Sequence, residues 1–283
     1  MKFINWNGTI VIETTPIVTA QNRSLRYGDG LFETLVAANA KPLLWESHAE
    51  RLWKGLNKMR FTLPDFFTKS FLEFEIHKLL KKNNHLSKFV RVRINVIRGN
   101  AGIFDIESLH PTFIIESWDL SESIVLNQNG LLVGLFEDAQ KICDQFSNLK
   151  HNNYLPYSMG ALFAKENNFN DAIILNQYGR VTDTCIANIF FIKNKVIFTP
   201  SLTEGCVAGT IRNRFIQTLP AIGYSINETE VYPEDLLGAD EIFLTNSVAP
   251  IKWVASMQNK NYSNNEIINI YEQLHQILPE YYR

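Results

Sequence analysis

The chain lacks most of the features that commit a sequence to a class early. Its 283 residues include three cysteines, Cys143, Cys185 and Cys206, widely spaced and odd in number, with no C-x-x-C and no cysteine–histidine pair at metal-ligand spacing. That excludes a zinc motif and a disulfide framework, and leaves buried thiols in a reducing compartment as the expectation. No apolar run approaches the roughly 20 residues a transmembrane helix needs. The opening MKFINWNGTIVIETTP has no apolar signal core, so a cytoplasmic protein with no membrane partner is expected. An excess of one charge is missing too: 27 Lys+Arg stand against 29 Asp+Glu. A pI near 6.3 argues against nucleic acid as the main partner. There is no internal repeat and no low-complexity tract.

What is present is ordinary globular chemistry, 46% hydrophobic and 20% charged, in a chain long enough for one large domain or two medium ones. Asn7-Gly8 between apolar residues predicts a hairpin. A second hairpin is expected over 31–45, with Leu43 to Trp45 as its return strand, and Ser47 and Glu50 read as a capping box opening a helix to about Met59. Pro64-Asp65 reads as the start of another helix. In FVRVRINVI, 89–97, Val90, Val92, Ile94 and Val96 alternate with Arg91, Arg93 and Asn95, so two arginines share one sheet face. A second strand follows at 112–118.

The polar stretch from Asp119 to Gly130 predicts a linker. The expected division is an N-terminal α+β domain over 1–120, a linker over 121–130 and a larger C-terminal domain over 131–283. In the latter come a strand at 131–136, a helix around 154–167, hairpins at 171–183 and 188–199, a helix from Gly209, a helical turn at Pro233, a strand at 241–245 and a last helix from Asn264. Without strict βαβ alternation, a mixed α+β fold is favoured over a doubly wound parallel sheet.

Four clusters could carry chemistry. Gly28-Asp29-Gly30 fails the full G-x-G-x-x-G because Glu33 occupies the third glycine position, so a tight turn into a strand is expected. SNLKHNNYLP, 147–156, sets Lys150 among neutral hydrogen-bonding groups, as an imine-forming lysine requires; a solvated loop is the plainer reading. In GRVTDTCIANIFF, 179–191, Asp183 sits where a polar turn gives way to an apolar strand. GCVAGTIRNRF, 205–215, is a glycine-rich helix start suited to a phosphate, or simply a helix cap. Together these are the imine partner, ring partner and phosphate cradle that pyridoxal 5′-phosphate needs.

The order YGDGLFET (27–34), HAERL (48–52), LKHNNYLP (149–156), GRVTDTCIANIF (179–190), TPSLTEGCVAGTIR (199–212) and EIFLTNSVAP (241–250) resembles the fold-type IV pyridoxal-phosphate enzymes, the class IV aminotransferases, over nearly the whole chain. The resemblance implies a two-domain fold like that of the D-amino acid aminotransferases, with pyridoxal 5′-phosphate in the inter-domain cleft, and a homodimer in which a partner loop, here near 99–110 with Phe104 and His110, closes the site. It implies that Lys150 is the catalytic, imine-forming lysine. Arg51, Gly209, Thr210 and Ile211 would bind the phosphate, with Asn246 and Ser247 as further phosphate or substrate contacts. Tyr154 would bond the cofactor's phenolic oxygen. Asp183 stands in place of the family's glutamate as pyridine partner, one methylene shorter. Tyr27, Phe32, Arg91 and Arg93 would bind substrate, and no metal is expected.

Among family members, Lys150-His151-x-Asn153, the Gly209-Thr210-Ile211-Arg212 order and Asn246 with Pro250 resemble 4-amino-4-deoxychorismate lyase, which releases pyruvate and 4-aminobenzoate in folate synthesis. The lyase is therefore the expected activity; Tyr154 and Arg93, closer to aminotransferases of branched-chain L-amino acids or D-amino acids, keep those as the alternative. A non-catalytic cofactor-binding protein ranks below both, because it gives Arg91 and Arg93 nothing to bind.

Overall fold

The computed structural model describes residues 1–87, 89–105, 109–120 and 125–282. The expected linker therefore falls partly outside the described residues, at 121–124, and the expected partner-facing loop does so at 106–108. The chain forms two compact units, Met1–Ser123 with Leu149–Tyr154, and Ile124–Asn148 with Leu155–Arg283.

The first unit runs β1 (Phe3–Trp6), β2 (Thr9–Ile12), α1 (Arg23–Tyr27), β3 (Gly30–Ala38), β4 (Lys41–Pro42), α2 (Trp45–Lys58), α3 (Lys69–Lys82), β5 (Phe89–Arg98) and β6 (Pro111–Asp119). Among the described residues the sheet has six strands in the order β2-β1-β6-β5-β3-β4. Asn7 and Gly8, at φ 50° and 88°, make the predicted β1–β2 turn. One face of β5 buries Val90, Val92, Ile94 and Val96 against Leu31 and Leu35 of β3, Ala49, Leu52 and Leu56 of α2, and Leu72, Ile76 and Leu79 of α3.

Two helix starts differ from expectation. α2 opens at Trp45 behind Leu44 (φ 52°), with no side-chain cap, so Ser47 and Glu50 lie inside the helix and the return strand is only Lys41–Pro42. The cause is tertiary: Trp45, Ala49, Leu52 and Leu56 form a buried stripe at helical spacing, and covering it sets the first turn. α3 opens at Lys69, where the Thr68 hydroxyl accepts from the Phe71 N–H, rather than at Pro64.

Leu149–Tyr154 departs from a simple division at 131. The Phe32 N–H donates to the Lys150 carbonyl at 2.8 Å and the Asn152 N–H to the Gly30 carbonyl at 2.9 Å. Leu149 enters the first core. The lysine-bearing segment is thus built onto β3. Gly30 permits this: a Cβ there would lie 2.6 Å from Asn152 Nδ2 and 2.8 Å from the Val96 carbonyl. Gly28 closes α1 at φ 67°, and Asp29 between them accepts from Arg23 and Arg98 at 2.8 Å each. The glycine pair makes the expected turn into a strand.

The second unit runs β7 (Leu131–Lys141), α4 (Leu155–Glu166), β8 (Asp171–Asn176), β9 (Val181–Thr184), β10 (Asn188–Lys193), β11 (Val196–Pro200), α5 (Thr210–Thr218), β12 (Ser225–Thr229), α6 (Pro233–Leu237), β13 (Glu241–Thr245), β14 (Lys252–Met257), β15 (Lys260–Asn261), α7 (Asn265–Glu272) and α8 (Leu274–Ile277). Its strands order as β12-β11-β10-β13-β14-β7-β8-β9, with β15 on β14. The β11–β12, β14–β7 and β7–β8 pairs are parallel and the others antiparallel, the mixed sheet expected. Cys185 and Cys206 are buried thiols as expected, whereas Cys143 is half-buried. Among the described residues no helix is long and apolar enough to cross a membrane, and no cluster of potential ligands could hold a metal.

Candidate active site

In the first unit, the face of the sheet opposite the core carries Phe32 and Thr34 of β3 beside Arg91, Arg93 and Asn95 of β5. Phe32 is its hub. The Arg93 guanidinium carbon lies 4.1 Å from the Phe32 ring centroid and the Lys150 Nζ 4.5 Å from it, both at cation–π range. Tyr154 meets the same ring edge-on at 5.5 Å. Arg91 lies over Trp118 at 5.2 Å. Among the described residues neither arginine has a carboxylate at ion-pair distance, and the Arg91 Nε is buried without a hydrogen-bond partner. Burial pulls the Arg93 guanidinium below its usual range; Glu116 opposes this and the charge of Arg91 adds to it. Two cations lacking anions are chemistry for a carboxylate ligand. Tyr27, the last residue of α1, is 43% exposed.

The alternation of β3 sends Glu33 the other way, into the core. Its carboxylate accepts from Arg51 Nε at 2.8 Å and Nη2 at 2.5 Å, with His48 Nδ1 at 2.7 Å. Burial alone would raise the Glu33 carboxyl, but the charge and hydrogen bonds of Arg51, with those of His48, hold it at about 2. Burial keeps His48 below its usual range, against the pull of Glu33. The bidentate pair fixes the plane of the Arg51 guanidinium, so Arg51 is no loose surface arginine. The sequence reading missed Glu33 and His48, although both lie inside the quoted YGDGLFET and HAERL motifs.

Glu33→Gln removes one charge of a buried pair and is expected to cost about 3–5 kcal/mol of stability, read by urea unfolding. The wild-type pH dependence has a definite sign. Below 4.5 the unfolded chain takes up a proton that folded Glu33 refuses until about 2, so this contribution, about 3 kcal/mol, is present above 4.5 and lost as pH falls toward 2. The melting temperature of Glu33→Gln should therefore fall less steeply across that window.

In the second unit, Asp183 on β9 is buried among donors. Its Oδ2 accepts from the Tyr157 hydroxyl at 2.7 Å, the Val207 N–H at 3.0 Å and Lys141 Nζ at 3.4 Å, and its Oδ1 from Asn188 Nδ2 at 2.8 Å. Tyr157, Lys141 and Asn188 were not singled out in the sequence; their pairing with Asp183 exists only once α4, β7 and β10 are assembled. α5 begins behind Gly209, which makes no side-chain cap. A Cβ on Gly209 would lie 1.9 Å from Asn188 Oδ1, so glycine alone fits there. Thr210 Oγ1 and Ser247 Oγ lie 3.0 Å apart. The Asn246 side-chain oxygen accepts from the Val248 and Ala249 N–H groups at 2.9 and 2.7 Å, shaping the turn that carries Ser247.

Residues 30–257 match the model of the family described as amino-transferase class IV. The chain belongs to that family. As a class IV aminotransferase family member it is an enzyme of fold type IV that uses pyridoxal 5′-phosphate. An aminodeoxychorismate lyase of Vibrio harveyi is 28% identical over 243 residues, 84% of this chain and 88% of that protein. One from Bacillus subtilis strain 168 is 28% identical over 273 residues, 91% and 87% of the two chains. The crystal structure of the branched-chain aminotransferase of Thermoproteus uzoniensis with norvaline has the same fold, at a TM-score of 0.85 and 22% identity over 98% of this chain and 95% of that one. Branched-chain aminotransferases are the more numerous among the compared relatives and structures.

The residues present fit the cofactor. The glycine-only helix start behind Gly209, flanked by the hydroxyls of Thr210 and Ser247, suits a phosphate. In the second unit the buried, donor-held Asp183 suits a protonated ring nitrogen, and in the first unit Lys150 offers an amine of the kind the aldehyde requires.

Proposed function

We propose that this class IV enzyme is an aminotransferase acting on a small amino acid, branched-chain L or D, with Lys150 as its catalytic amine. What carries the reading is the Phe32 ring, which bears the Lys150 ammonium and the Arg93 guanidinium at 4.5 and 4.1 Å. A carboxylate held by Arg93 brings the neighbouring amine-bearing carbon within reach of Lys150. Bound pyridoxal phosphate supplies an electron sink for the pair released when that carbon loses its proton. Lys150 Nζ would hold the cofactor at rest and carry the proton that the amine-bearing carbon loses. Asp183 keeps the ring nitrogen charged. In the second unit the N–H groups behind Gly209 at Thr210 and Ile211, with Ser247, would hold the phosphate, and Asn246 shapes that loop; in the first unit Arg51, oriented by Glu33, is a further candidate cation for the phosphate. Tyr154 would bond the phenolic oxygen, and Tyr27 would contact the substrate. A cytoplasmic homodimer belongs to the same reading.

Arg93→Ala should raise KM for the amino donor about 10–100-fold while leaving the dissociation constant of the cofactor unchanged, because only a charge-assisted carboxylate contact is lost. Steady-state kinetics beside a cofactor titration checks it, and an unchanged KM rules Arg93 out as the carboxylate site.

A second reading, aminodeoxychorismate lyase, is favoured by Arg91. Its buried Nε, without a partner among the described residues, gives the same sheet face a second guanidinium, and aminodeoxychorismate carries two carboxylates. The Lys150-His151-x-Asn153 sequence supports it as well. In that case Lys150 takes the same proton, but the enolpyruvyl ether then leaves. Holoenzyme treated with a panel of L- and D-amino acids separates the two. Growth of the pyridoxamine-phosphate band with one donor supports the aminotransferase and names its subclass. A spectrum unmoved by every donor, with 4-aminobenzoate formed from aminodeoxychorismate, supports the lyase instead.

A further inference from the structure

The donors around Asp183 are unevenly shared between its two oxygens. Oδ2 takes three, from Tyr157 on α4, Lys141 at the end of β7 and the Val207 N–H before α5; Oδ1 takes one, from Asn188. A carboxylate offers about four lone-pair positions in all, so Oδ2 is filled and Oδ1 keeps a vacancy. Held on one oxygen by three separate parts of the chain, the group cannot turn about its Cβ–Cγ bond. The shortest of these contacts is the Tyr157 hydroxyl at 2.7 Å, from a side chain only 4% exposed. Lys141 is itself committed: it donates to the Ser147 carbonyl at 3.1 Å and to the Gly205 carbonyl, and lies 5.1 Å from the centre of the Tyr157 ring. Asn188 is likewise shared with the Val207 carbonyl at 2.8 Å. Tyr157 makes the shortest of these bonds through a neutral hydroxyl, so that bond can be removed without freeing a charge.

We propose that Tyr157 is a positioning residue for the ring partner: its hydroxyl pins Oδ2 and stabilises the anion, so that Oδ1 is the oxygen presented to the pyridine nitrogen. This rests on the reading that Asp183 pairs with that nitrogen. Loss of one donor leaves the carboxylate less stabilised as an anion, which draws the shared proton from the ring toward Asp183. A tyrosine that merely tied α4 to the sheet would leave the proton where it was.

The test is holoenzyme reconstituted with pyridoxal phosphate labelled with 15N in the ring, compared between wild type and Tyr157→Phe, which keeps the aromatic ring and removes only the hydroxyl. The expected result is a 15N resonance at the protonated-pyridine position in wild type and displaced toward the unprotonated position in the variant, with kcat about 10-fold lower and the KM for substrate within about twofold. A variant whose bound cofactor keeps the wild-type resonance overturns the proposal, whatever happens to its melting temperature. An unprotonated resonance already in wild type overturns instead the reading of Asp183 as ring partner. Should Tyr157→Phe fail to retain the cofactor, 3,5-difluorotyrosine at 157 replaces it: a more acidic hydroxyl must hold the ring proton at least as firmly as wild type, and a shift toward the unprotonated position contradicts the proposal.

Discussion

Lys150→Ala is expected to lower turnover by at least about 1,000-fold, the scale lost when a positioned proton carrier is removed. The variant should still fold. Backbone bonds dock this segment on β3, through the Phe32 N–H to the Lys150 carbonyl and the Asn152 N–H to the Gly30 carbonyl, and a side-chain change at 150 leaves both in place. It should still take up pyridoxal phosphate, held by the anion site, but without the absorbance band of the covalently held form. Added methylamine, supplying the missing amine from solution, should restore part of the rate. Retention of more than about a tenth of wild-type turnover would assign the proton transfer to another group.

Asp183→Asn is expected to lower kcat about 100–1,000-fold, as when one preorganised electrostatic partner is taken from a reacting centre. The change is nearly isosteric, and the Asn oxygen can still accept from Tyr157 and the Val207 N–H. What disappears is the negative charge proposed to hold the ring nitrogen protonated, so the loss should fall on kcat while KM for the amino acid stays near its starting value. Lys141 is then left without its buried anion, and a few kcal/mol of stability should go with it. Both effects are readable separately, by saturation kinetics and by urea unfolding. An unchanged kcat with lowered stability would make Asp183 a structural counter-ion of Lys141 and nothing more.

How much of this was legible in the sequence follows from the range of the interactions involved. Period-2 alternation marked β5 and its paired arginines correctly, and the Asn7-Gly8 turn, the strand at 241–245 and the helix behind Gly209 are local signals that local structure obeyed. The start of α2 was not local. The S-x-x-E pattern at Ser47 and Glu50 was real as a sequence, but burying Trp45 moved the first turn back three residues. α1, with Asn22 as its cap, is only five residues long and has no apolar stripe to announce it.

The site divides the same way. Lys150, Arg51 and Asp183 stood out because motif order carried them. Their partners did not. Glu33 was read only as the residue that spoils a glycine motif, whereas its conflict with an apolar strand face is the clue that a charged partner must lie beneath it. Tyr157 and Lys141 are separated from Asp183 by 26 and 42 positions, and no local pattern links them. The return of Leu149–Tyr154 to the first unit is of the same kind, since it depends on the bare backbone of Gly30.

The central claim is that Lys150 is the residue that holds pyridoxal phosphate. Reduction of the holoenzyme with borohydride, followed by proteolysis and mass spectrometry, tests it most directly. The account predicts a phosphopyridoxyl group on the peptide containing Lys150 and on no other. The same group on Lys141, or a holoenzyme from which all cofactor washes away after reduction, would contradict it.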